Sequence, residues 1–500
     1  MTPSVALNLA EQPLVLALDV GTSSTRAIVF DARGRAIEGC EQRERAPVST
    51  LGDGIAQDEA EALLQRAERC IDAVLLAAGD APIAAVAVDT FVTSTLAVSA
   101  AGRALTPVVL YADTRNASDS LALRERLHEP SVHERTGCLL RTGYWPARLA
   151  WFRRSQPEIW RDAARWITAG EYLEWHWLGI SRVSTSVASW SGLLDRHTLR
   201  WDTPLLDALR LANDRLAPLA DAAAAHIGLT PAYAARWPTL RTARWYPAIG
   251  DGAAANIGSG CVGAGRLALT IGTTAAIRSI LPAVPRVPAG LWCYRVDARR
   301  ALLGGATSEG GNVSAWLRRL LFLTGGPEAA ERGIAAITPD GHGLTMLPLL
   351  AGERSPGWSG DATGSIVGLT LATTQLDILR AGVESVAYRL ALIADNMPSA
   401  DTPVVASGGA LLGSPTWMQI LADVLGRTVV ASADGETTAR GAALLALESL
   451  GAIADVTSAT FSTGRSYTPN TANTALYRAA ITRQQVLYAA LRDAGLLRNR

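Results

Sequence analysis

The sequence contains the same short β-turn-β pattern twice, about half a chain apart. Residues 16–30 read LALDVGTSSTRAIVF and residues 267–281 read LALTIGTTAAIRSIL. When the two segments are aligned on the shared LAL, the Gly21-Thr22 turn corresponds to Gly272-Thr273, whereas Asp19 has no acidic counterpart. A repeat of this kind predicts two similar domains that each present a Gly-Thr turn. The chain is thereby restricted to folds with two related halves.

The first copy has the chemistry of a phosphate and metal site. Its apolar strand ends in a carboxylate, Asp19, which suits Mg²⁺. Glycine gives the following turn backbone freedom, and small hydroxyl residues leave its N–H groups open to an anion. Two such turns facing one another could hold the phosphates of a nucleotide, although an ordinary hairpin is the alternative. The predicted phosphate contacts are Gly21, Thr22, Ser23, Ser24, Arg26, Gly272 and Thr273.

The composition excludes several other classes of nucleotide site. All 46 residues counted as Lys+Arg are arginine, because the chain contains no lysine. Walker-A proteins, protein kinases and Schiff-base enzymes need a lysine and are therefore excluded. A formal net charge of zero argues against a nucleic-acid or acidic-membrane partner. Five scattered cysteines without a CxxC pair indicate a reducing cytoplasm rather than a disulfide or zinc framework.

A chain of 500 residues predicts two large domains. The first begins with three β-type runs, an amphipathic helix over 58–78 that Asp58 can cap, and a buried strand over 83–89. This order is typical of an α/β domain with a mixed sheet. The N-terminus lacks the pattern of a signal peptide, and charges interrupt the apolar runs before bilayer length. We expect a loose N-terminal arm over 1–12, a first domain over 13–250 and a second domain over 251–500.

Polar residues beyond two apolar runs mark a second candidate site. Thr93 and Ser94 belong to a hydroxyl-rich strand end, and Asp113 and Arg115 follow the apolar run in LTPVVLYADTRN. Ligands of α/β sheets usually bind at such strand ends. A helix cap for Asp113 and a surface ion pair for Arg115 agree equally well with the spacing. An aromatic pair at a turn is a candidate sugar contact and consists of Tyr144 and Trp145.

Glycine-rich turns supply the remaining candidates. Asp251 lies between two glycines ahead of an Ala-rich helix, where a ligand can approach the backbone; a helix N-cap is the alternative. The Gly408-Gly409 pair follows a strand-like run and can bring bare backbone against a nucleotide. Gly310 lies in a similar turn ahead of a helix.

Taken together, these motifs resemble the FGGY carbohydrate kinases of the actin-like ATPase superfamily. The resemblance is carried, in chain order, by LALDVGTSSTRAIVFD, LTPVVLYADTR, AIGDGAAANIGSG, LTIGTT, LPLLAGERSPGW and VVASGGALLGSPTWMQILADVLG. Within the family the chain is most similar to the gluconokinase and xylulokinase branches, and the segment GERSPGW, followed by a long helix containing VAYRL, especially resembles gluconokinases. The resemblance implies an α/β fold of two actin-like, ribonuclease-H-like domains with ATP and a sugar in the cleft between them.

The resemblance also implies roles for individual residues. Asp251 matches the catalytic base, and Asp19 matches the metal-associated carboxylate, with Asp251 as a further metal contact. Asp113 and Arg115 match the sugar-contacting motif. The implied cofactors are ATP and Mg²⁺. The segments that match the nucleotide site are the first hairpin with Ser23, Ser24 and Arg26, the second hairpin with Gly272 and Thr273, and the adenosine-side loop with Gly408 and Gly409.

One position departs from the family pattern and bears on the substrate. Val92-Thr93 replaces the usual Met-His or Trp-His pair of the sugar site, so that a hydroxyl stands in place of an imidazole. We expect transfer of a phosphate to a small sugar or sugar acid, with gluconate as the first candidate and xylulose as the alternative. A catalytically weak sugar-binding regulator of the same fold is a further alternative. A homodimer is a family-level expectation.

Overall fold

Two mixed β-sheets, one in each half of the chain, organise the computed structural model, which describes residues 3–46, 49–51, 53–263, 266–323, 325–398 and 403–498. The strands of the first half are β1 (Ser4–Val5), β2 (Leu14–Val20), β3 (Ser24–Phe30), β4 (Ala36–Arg45), β5 (Ser49–Leu51), β6 (Ile55–Asp58), β7 (Ile83–Thr90), β8 (Leu96–Val98), β9 (Val108–Val109), β10 (Arg165–Ile167), β11 (Val183–Ser184), β12 (Leu194–Asp195), β13 (Arg200–Trp201), β14 (Leu219–Ala220), β15 (His226–Ile227), β16 (Arg244–Trp245) and β17 (Ile249–Gly250).

Helices cover both faces of the first sheet. They are α1 (Ala60–Ala78), α2 (Ala117–Arg126), α3 (Glu129–Thr136), α4 (Trp145–Ser155), α5 (Pro157–Asp162), α6 (Ala169–Leu178), α7 (Thr185–Trp190), α8 (Thr203–Leu209), α9 (Pro231–Arg236) and α10 (Asp251–Gly258). Because helices cover it on both sides, β2 is buried along its whole length, as its unbroken apolar run LVLAL requires.

The second half has fewer strands and longer helices. Its strands are β18 (Leu267–Ile271), β19 (Ala275–Leu281), β20 (Trp292–Arg295), β21 (Ala301–Thr307), β22 (Thr345–Leu347), β23 (Ser365–Val367), β24 (Val404–Ser407), β25 (Val429–Ser432) and β26 (Thr463–Tyr467). Its helices are α11 (Gly311–Leu320), α12 (Gly326–Ala336), α13 (Gln375–Ala394), α14 (Gly409–Leu412), α15 (Pro415–Leu425), α16 (Thr437–Ser449) and α17 (Thr471–Asp493).

The two principal sheets share one topology at their centres. The first has the order β1-β4-β3-β2-β7-β16-β15, with β17 also paired to β7, and the second has the order β20-β21-β19-β18-β24-β25-β26. In each, a central strand pairs antiparallel with the next strand of a hairpin and parallel with a strand that follows much later. The sequence repeat therefore corresponds to a structural duplication, and the expected two-domain α/β fold is confirmed.

Both repeated turns are three-residue loops, 21–23 and 272–274, closed by a backbone hydrogen bond. The N–H of Gly21 donates to the Ser24 carbonyl at 3.0 Å, and that of Gly272 donates to the Thr274 carbonyl at 3.0 Å. Neither glycine has a positive φ, so the backbone freedom expected of glycine is not used here for a left-handed conformation. Gly272 instead leaves open space, since a Cβ at this position would meet no atom within 4 Å.

Helices α10 and α16 lie between the two sheets and join them through one core. Helix α16 packs on β2 and β7 of the first sheet and crosses α10. A Cβ at Gly258 would lie 1.7 Å from the Thr437 carbonyl oxygen, and one at Gly441 would lie 1.8 Å from the Ala254 carbonyl oxygen. The crossing therefore requires glycine on both helices. The shared core includes side chains from both sheets, among them Val15, Ala17, Ile280 and Leu302.

Two local expectations in the first half are wrong. Residues 3–12 do not form a loose arm, because β1 pairs in parallel with the start of β4 at the sheet edge; residues 1–2 lie outside the described residues. Asp58 does not cap α1, which begins after Glu59. Asp58 instead ends β6 and forms an ion pair with Arg66. Within the described ranges, we find no helix with the length and apolar character that crossing a bilayer requires.

Candidate active site

Strand register brings two carboxylates side by side and a third close to them. β2 pairs with β7 so that Asp19 lies opposite Asp89, and β17 pairs with the other edge of β7 so that Ile249 also lies opposite Asp89. Helix α10 starts at Asp251, two residues later. Three adjacent strands therefore end at one place, and each end contributes an acidic side chain there.

The same register places these side chains on the face of the first sheet that α10 and α16 cover. Side chains alternate between the two faces of a strand, so that Asp19 shares a face with Val15 and Ala17, and Asp89 with Ala85 and Ala87. All four apolar residues belong to the core that contains the inner side of α10. Asp19 and Asp89 consequently point toward the N-terminal end of α10, where Asp251 lies.

Burial keeps protons on these carboxyl groups to higher pH than usual. Burial, reinforced by the Asp19 charge and opposed by Arg278, raises the pKa of Asp251 to about 6. Burial raises the pKa of Asp19 as well, although Arg26 opposes this shift. For Asp89, burial and the charges of both neighbours raise the pKa well above its ordinary value. Among the causes of these shifts are the charges of the neighbouring carboxylates, in agreement with the strand register that brings the three groups together.

Arg26 neutralises part of this negative charge. It lies opposite Asp19 in the β2-β3 hairpin, and its Nη1 is 3.6 Å from an Asp19 carboxylate oxygen. The same Nη1 is 2.5 Å from Glu436, which directly precedes α16. Arg26, predicted to bind phosphate, is thus held by two carboxylates in this structure.

The donor set at this crevice fits Mg²⁺. This ion prefers carboxylate oxygens as ligands. The Asp89 and Asp19 side chains are hydrogen-bonded to each other, and Asp89, whose pKa burial raises well above its ordinary value, holds the shared proton. The residues predicted to hold the ion are Asp19 and Asp251.

Two arginines of the second half lie close to each other, and one of them, Arg278, reaches the crevice at Asp251. Arg278, on β19, donates to the Thr270 hydroxyl at 3.1 Å, and one of its Nη atoms would lie 3.0 Å from a Cβ placed at Gly252. The Arg354 guanidinium carbon stacks 4.7 Å from the centre of the Tyr111 ring. The Nε atoms of both arginines are buried and unpartnered. Within the described part of the chain, neither arginine forms an ion pair.

The loop that carries Thr93 and Ser94 is held by a buried arginine. Thr93 has a φ of 62°, which is unusual for a β-branched residue, and its hydroxyl is buried without a partner. Arg148, only 1% exposed, donates to the Thr93 carbonyl, to the Thr95 hydroxyl at 2.9 Å and to the Leu110 carbonyl at 2.9 Å. Ser94 instead accepts a hydrogen bond from the N–H of Ala169 at 3.0 Å.

Asp113 and Arg115 are bound to each other. Arg115 Nη2 is 2.7 Å from Asp113, and Asp113 also accepts from the N–H of Ala56 at 3.1 Å. The Arg115 guanidinium stacks on Trp151 at 4.7 Å. The sequence left a helix cap for Asp113 and a surface ion pair for Arg115 as alternatives. Asp113 caps no helix, and the ion pair is largely buried. A substrate contact for this pair remains a prediction.

The two aromatic candidates are almost completely enclosed. The Tyr144 hydroxyl lies 2.6 Å from the Tyr294 hydroxyl, which joins the two halves of the chain. Trp145 is 2% exposed, and its indole N–H donates to the Ser94 carbonyl at 3.0 Å. Trp145 therefore lies behind the Thr93 loop in this structure, and its predicted role as a sugar contact has no support here.

A groove of about 850 Å³ lies on the side of the second hairpin. Asn312 donates its N–H to the Thr273 carbonyl at 3.1 Å, which fixes α11 against the turn. Gly310 packs on the turn from behind, because a Cβ there would meet the Thr274 backbone at 2.6 Å. Gly408, with a φ of 99°, packs on Ile271 in the same way. The residues that line the groove include the predicted Gly272, Thr273 and Gly409, together with Gly311, Asn312, Trp316 and Arg319.

The first turn is more exposed to solvent than strand β3, which follows it. Thr22 and Ser23 are exposed and Ser24 is buried. Gly21 is close-packed, since a Cβ would lie 3.0 Å from the Ser24 carbonyl oxygen. The first turn therefore offers backbone groups to an incoming anion through Thr22 and Ser23.

Sequence reasoning missed four residues of this region: Asp89, Arg148, Arg278 and Arg354. Asp89 could have been found, because it ends a predicted buried strand just as Asp19 does. Arg278 lies inside the second repeat, and Arg354 lies inside the GERSPGW segment. Neither position in the sequence indicates that the arginine lacks an ion-pair partner in the fold. Arg148 gave no local signal, since its partners lie 38 to 55 residues away.

Comparisons with known proteins agree with this architecture. Residues 14–258 match the N-terminal domain of the FGGY family of carbohydrate kinases, and residues 267–450 match its C-terminal domain. The chain is 31% identical over 484 residues to a glycerol kinase from Acidovorax ebreus (strain TPSY), covering 91% of this chain and 94% of that protein. Solved structures of a gluconate kinase and a xylulose kinase, both from Lactobacillus acidophilus, each superpose with a TM-score of 0.90 at 25% identity, covering 96% of this chain and 98% of theirs.

Proposed function

The chain belongs to the FGGY family of carbohydrate kinases, and from this premise we propose that it phosphorylates a small sugar acid with ATP, gluconate being the first candidate. The family assignment makes it a sugar phosphotransferase with ATP as the phosphate donor. The observation that supports an acidic acceptor is the pair Arg278 and Arg354, two half-buried arginines close to each other that form no ion pair within the described residues; the charge of Asp251 acts on Arg278.

In the proposed reaction, Asp251 is the general base. Its carboxylate accepts the proton of the acceptor hydroxyl while that oxygen forms a bond to the γ-phosphorus and the bond to the β-phosphate oxygen breaks, releasing ADP. Mg²⁺, held by Asp19 and Asp251, would neutralise charge on the β- and γ-phosphates. The turn amides of both hairpins and Arg26 would contact the remaining phosphate oxygens.

The choice of an acid over a neutral polyol follows from the cost of an unpaired charge. Partial burial of a guanidinium without an ion-pair partner is unfavourable, and a neutral acceptor would bring no charge to pair with Arg278 or Arg354. A carboxylate would pair with one or both arginines in a bidentate geometry. Arg115, considered from the sequence for this purpose, is already paired with Asp113 and is a weaker candidate.

A neutral ketose such as xylulose is the second candidate. The gluconate kinase and xylulose kinase structures match this chain equally well, so fold similarity does not discriminate between the two substrates. The Thr93 hydroxyl and the Asp113 carboxylate would be suitable hydrogen-bond partners for a neutral sugar. A glycerol kinase activity must be tested with them, because a relative of that name is 31% identical.

A coupled assay of ADP release over gluconate, xylulose and glycerol tests the proposal. We expect gluconate to have the highest kcat/KM. Arg278→Gln and Arg354→Gln should each raise the KM for gluconate roughly 10- to 100-fold, as expected for the loss of a charge-assisted hydrogen bond worth about 1.5–3 kcal/mol. The KM for ATP should change little in the Arg354 variant.

Two outcomes would contradict the proposal in different ways. A higher kcat/KM for xylulose or glycerol would replace the substrate while retaining the reaction. Sugar binding without sugar-dependent ADP release would instead identify the catalytically weak, regulatory member of the fold. Arg236→Gln is a matched control, because this exposed arginine pairs with Asp72 on α1. This variant should leave both KM values unchanged.

A further inference from the structure

A small cavity beside the first hairpin is lined by a cation that the proposed reaction does not use. The cavity has a volume of about 190 Å³ and lies between β3, β4 and the start of α16. Arg43 lines it together with Arg26 and Glu436. The antiparallel pairing of β3 and β4 places Arg26 directly opposite Arg43. Residues in such a pair stand on the same face of the sheet, with Cβ atoms about 5 Å apart.

The two arginines of this cavity differ in their partners. Arg26 Nη1 lies 2.5 Å from Glu436, whereas Arg43 is exposed and forms no ion pair among the residues that the structure describes. The charge of Arg43 nevertheless reaches the crevice. Burial raises the pKa of Asp19, and both arginines oppose this shift, Arg26 more strongly than Arg43. Arg43 is therefore close enough to act on the charges around the first hairpin.

A bound nucleotide would change the pairing within this cavity. In the proposed reaction Arg26 contacts a phosphate oxygen, which then competes with Glu436 for the same guanidinium. The phosphate also repels the Glu436 carboxylate, because both carry negative charge. Arg43 lines the same cavity, so that Glu436 can exchange one guanidinium for the other over a short distance.

We propose that Arg43 is a positioning residue that pairs with Glu436 when the nucleotide phosphates bind Arg26. The inference rests on the proposed function only for the contact between Arg26 and phosphate. Arg43 thereby promotes nucleotide binding through Glu436, without touching the nucleotide itself.

A double-mutant cycle tests this role by calorimetric titration of the full-length protein with the Mg²⁺ complex of a non-hydrolysable ATP analogue. We expect Arg43→Gln to raise the Kd about two- to fivefold, as is typical of a partly exposed ion pair. In the Glu436→Gln background, the same substitution should leave the Kd unchanged, because the carboxylate that Arg43 receives is absent.

Two outcomes of the cycle would overturn the proposal. An equal rise of the Kd in both backgrounds would mean that Arg43 attracts or contacts the phosphates directly. An unchanged Kd in Arg43→Gln would mean that Glu436 does not need this arginine. Arg43→Lys retains the charge and should keep most of the wild-type affinity. A loss as large as in Arg43→Gln would show that the charge is not responsible, which also overturns the proposal.

A matched control comes from the opposite face of β4. Arg69 is an exposed arginine of α1 that pairs with Glu44, whose side chain points away from Arg43 because successive residues of a strand alternate. Arg69→Gln should leave the Kd unchanged in both backgrounds, and a rise like that of Arg43→Gln would reduce the effect to general charge and overturn the proposal.

Arg26→Gln in the same titration reports separately on the proposed function. A higher Kd in this variant supports the phosphate contact on which the exchange depends, and an unchanged Kd contradicts that contact and the exchange together. If Arg26→Gln raises the Kd while Arg43→Gln does not, only the role of Arg43 fails. Because no acceptor is present in the titration, a wrong substrate assignment leaves every readout intact.

Discussion

At the scale of the residue, Asp251 gives the reaction a defined pH dependence. Burial raises the pKa of its carboxyl to about 6, and the base acts only in its ionised form. We therefore expect kcat/KM for the acceptor to rise with pH through about 6 and to level off above it. Asp251→Asn should lose roughly 10²–10⁴ in kcat while the variant unfolds like the wild type. Near-normal turnover in Asp251→Asn, or a rate independent of pH between 5 and 7, contradicts the assignment of the base.

Single residues also show which part of the site a sequence can reveal. Asp19 and Asp251 were predicted because each carries a local pattern, a strand ending in a carboxylate or a glycine-flanked acid. Asp89 has the same local pattern, yet its significance arises only from the register that places it between the other two strands. The partner of a charge is a through-space property, so that Arg115 could not be distinguished from Arg278 before the fold was known.

At the scale of the element, the Thr93 loop is held in its conformation by Arg148. The guanidinium satisfies two carbonyls and a hydroxyl, and truncating it leaves each buried acceptor unsatisfied at about 1–3 kcal/mol. We expect Arg148→Met to lower the Tm and to raise the KM for the acceptor more than the KM for ATP. An equal rise in both KM values would indicate a general loss of structure instead.

Thr93→Gly separates the loop's backbone from its hydroxyl. Glycine adopts a φ of 62° without the strain that a β-branched residue has, so that the free energy of unfolding should not fall. If the Thr93 hydroxyl contacts the acceptor, the KM for the acceptor should nevertheless rise. An unchanged KM would remove Thr93 from the predicted sugar contacts.

The ion pair between Arg26 and Glu436 connects the first hairpin with the start of α16. If Arg26 binds phosphate, Glu436 competes with the nucleotide for the same guanidinium. We expect Glu436→Gln to lower the KM for ATP and Arg26→Gln to raise it, as measured by initial rates at saturating acceptor. A higher KM for ATP in Glu436→Gln would show that the carboxylate orients Arg26 rather than competing for it.

At the scale of the whole molecule, the crossing of α10 and α16 determines how the two halves fit together. Gly441→Ala would place a Cβ 1.8 Å from backbone, which cannot move as a flexible side chain does. Overpacking of this kind costs about 1–3 kcal/mol or more, and we expect a matching loss in denaturant unfolding. Gly360→Ala is the control, since its Cβ would meet no atom within 4 Å, and it should stay within about 0.5 kcal/mol of the wild type. A similar loss in both variants contradicts the importance of the crossing.

The sequence by itself determined the duplicated α/β architecture, the two Gly-Thr hairpins and the acids Asp19 and Asp251. These features are encoded locally, in apolar runs, turn residues and a repeat that any reading along the chain can detect. The tertiary structure alone decided that Asp89 lies beside Asp19, that Arg115 forms an ion pair whereas Arg278 and Arg354 form none within the described residues, and that two glycines let α10 and α16 touch. Each of these depends on strand register or helix packing between residues distant in sequence, and no local pattern records which distant charge or backbone a side chain will meet.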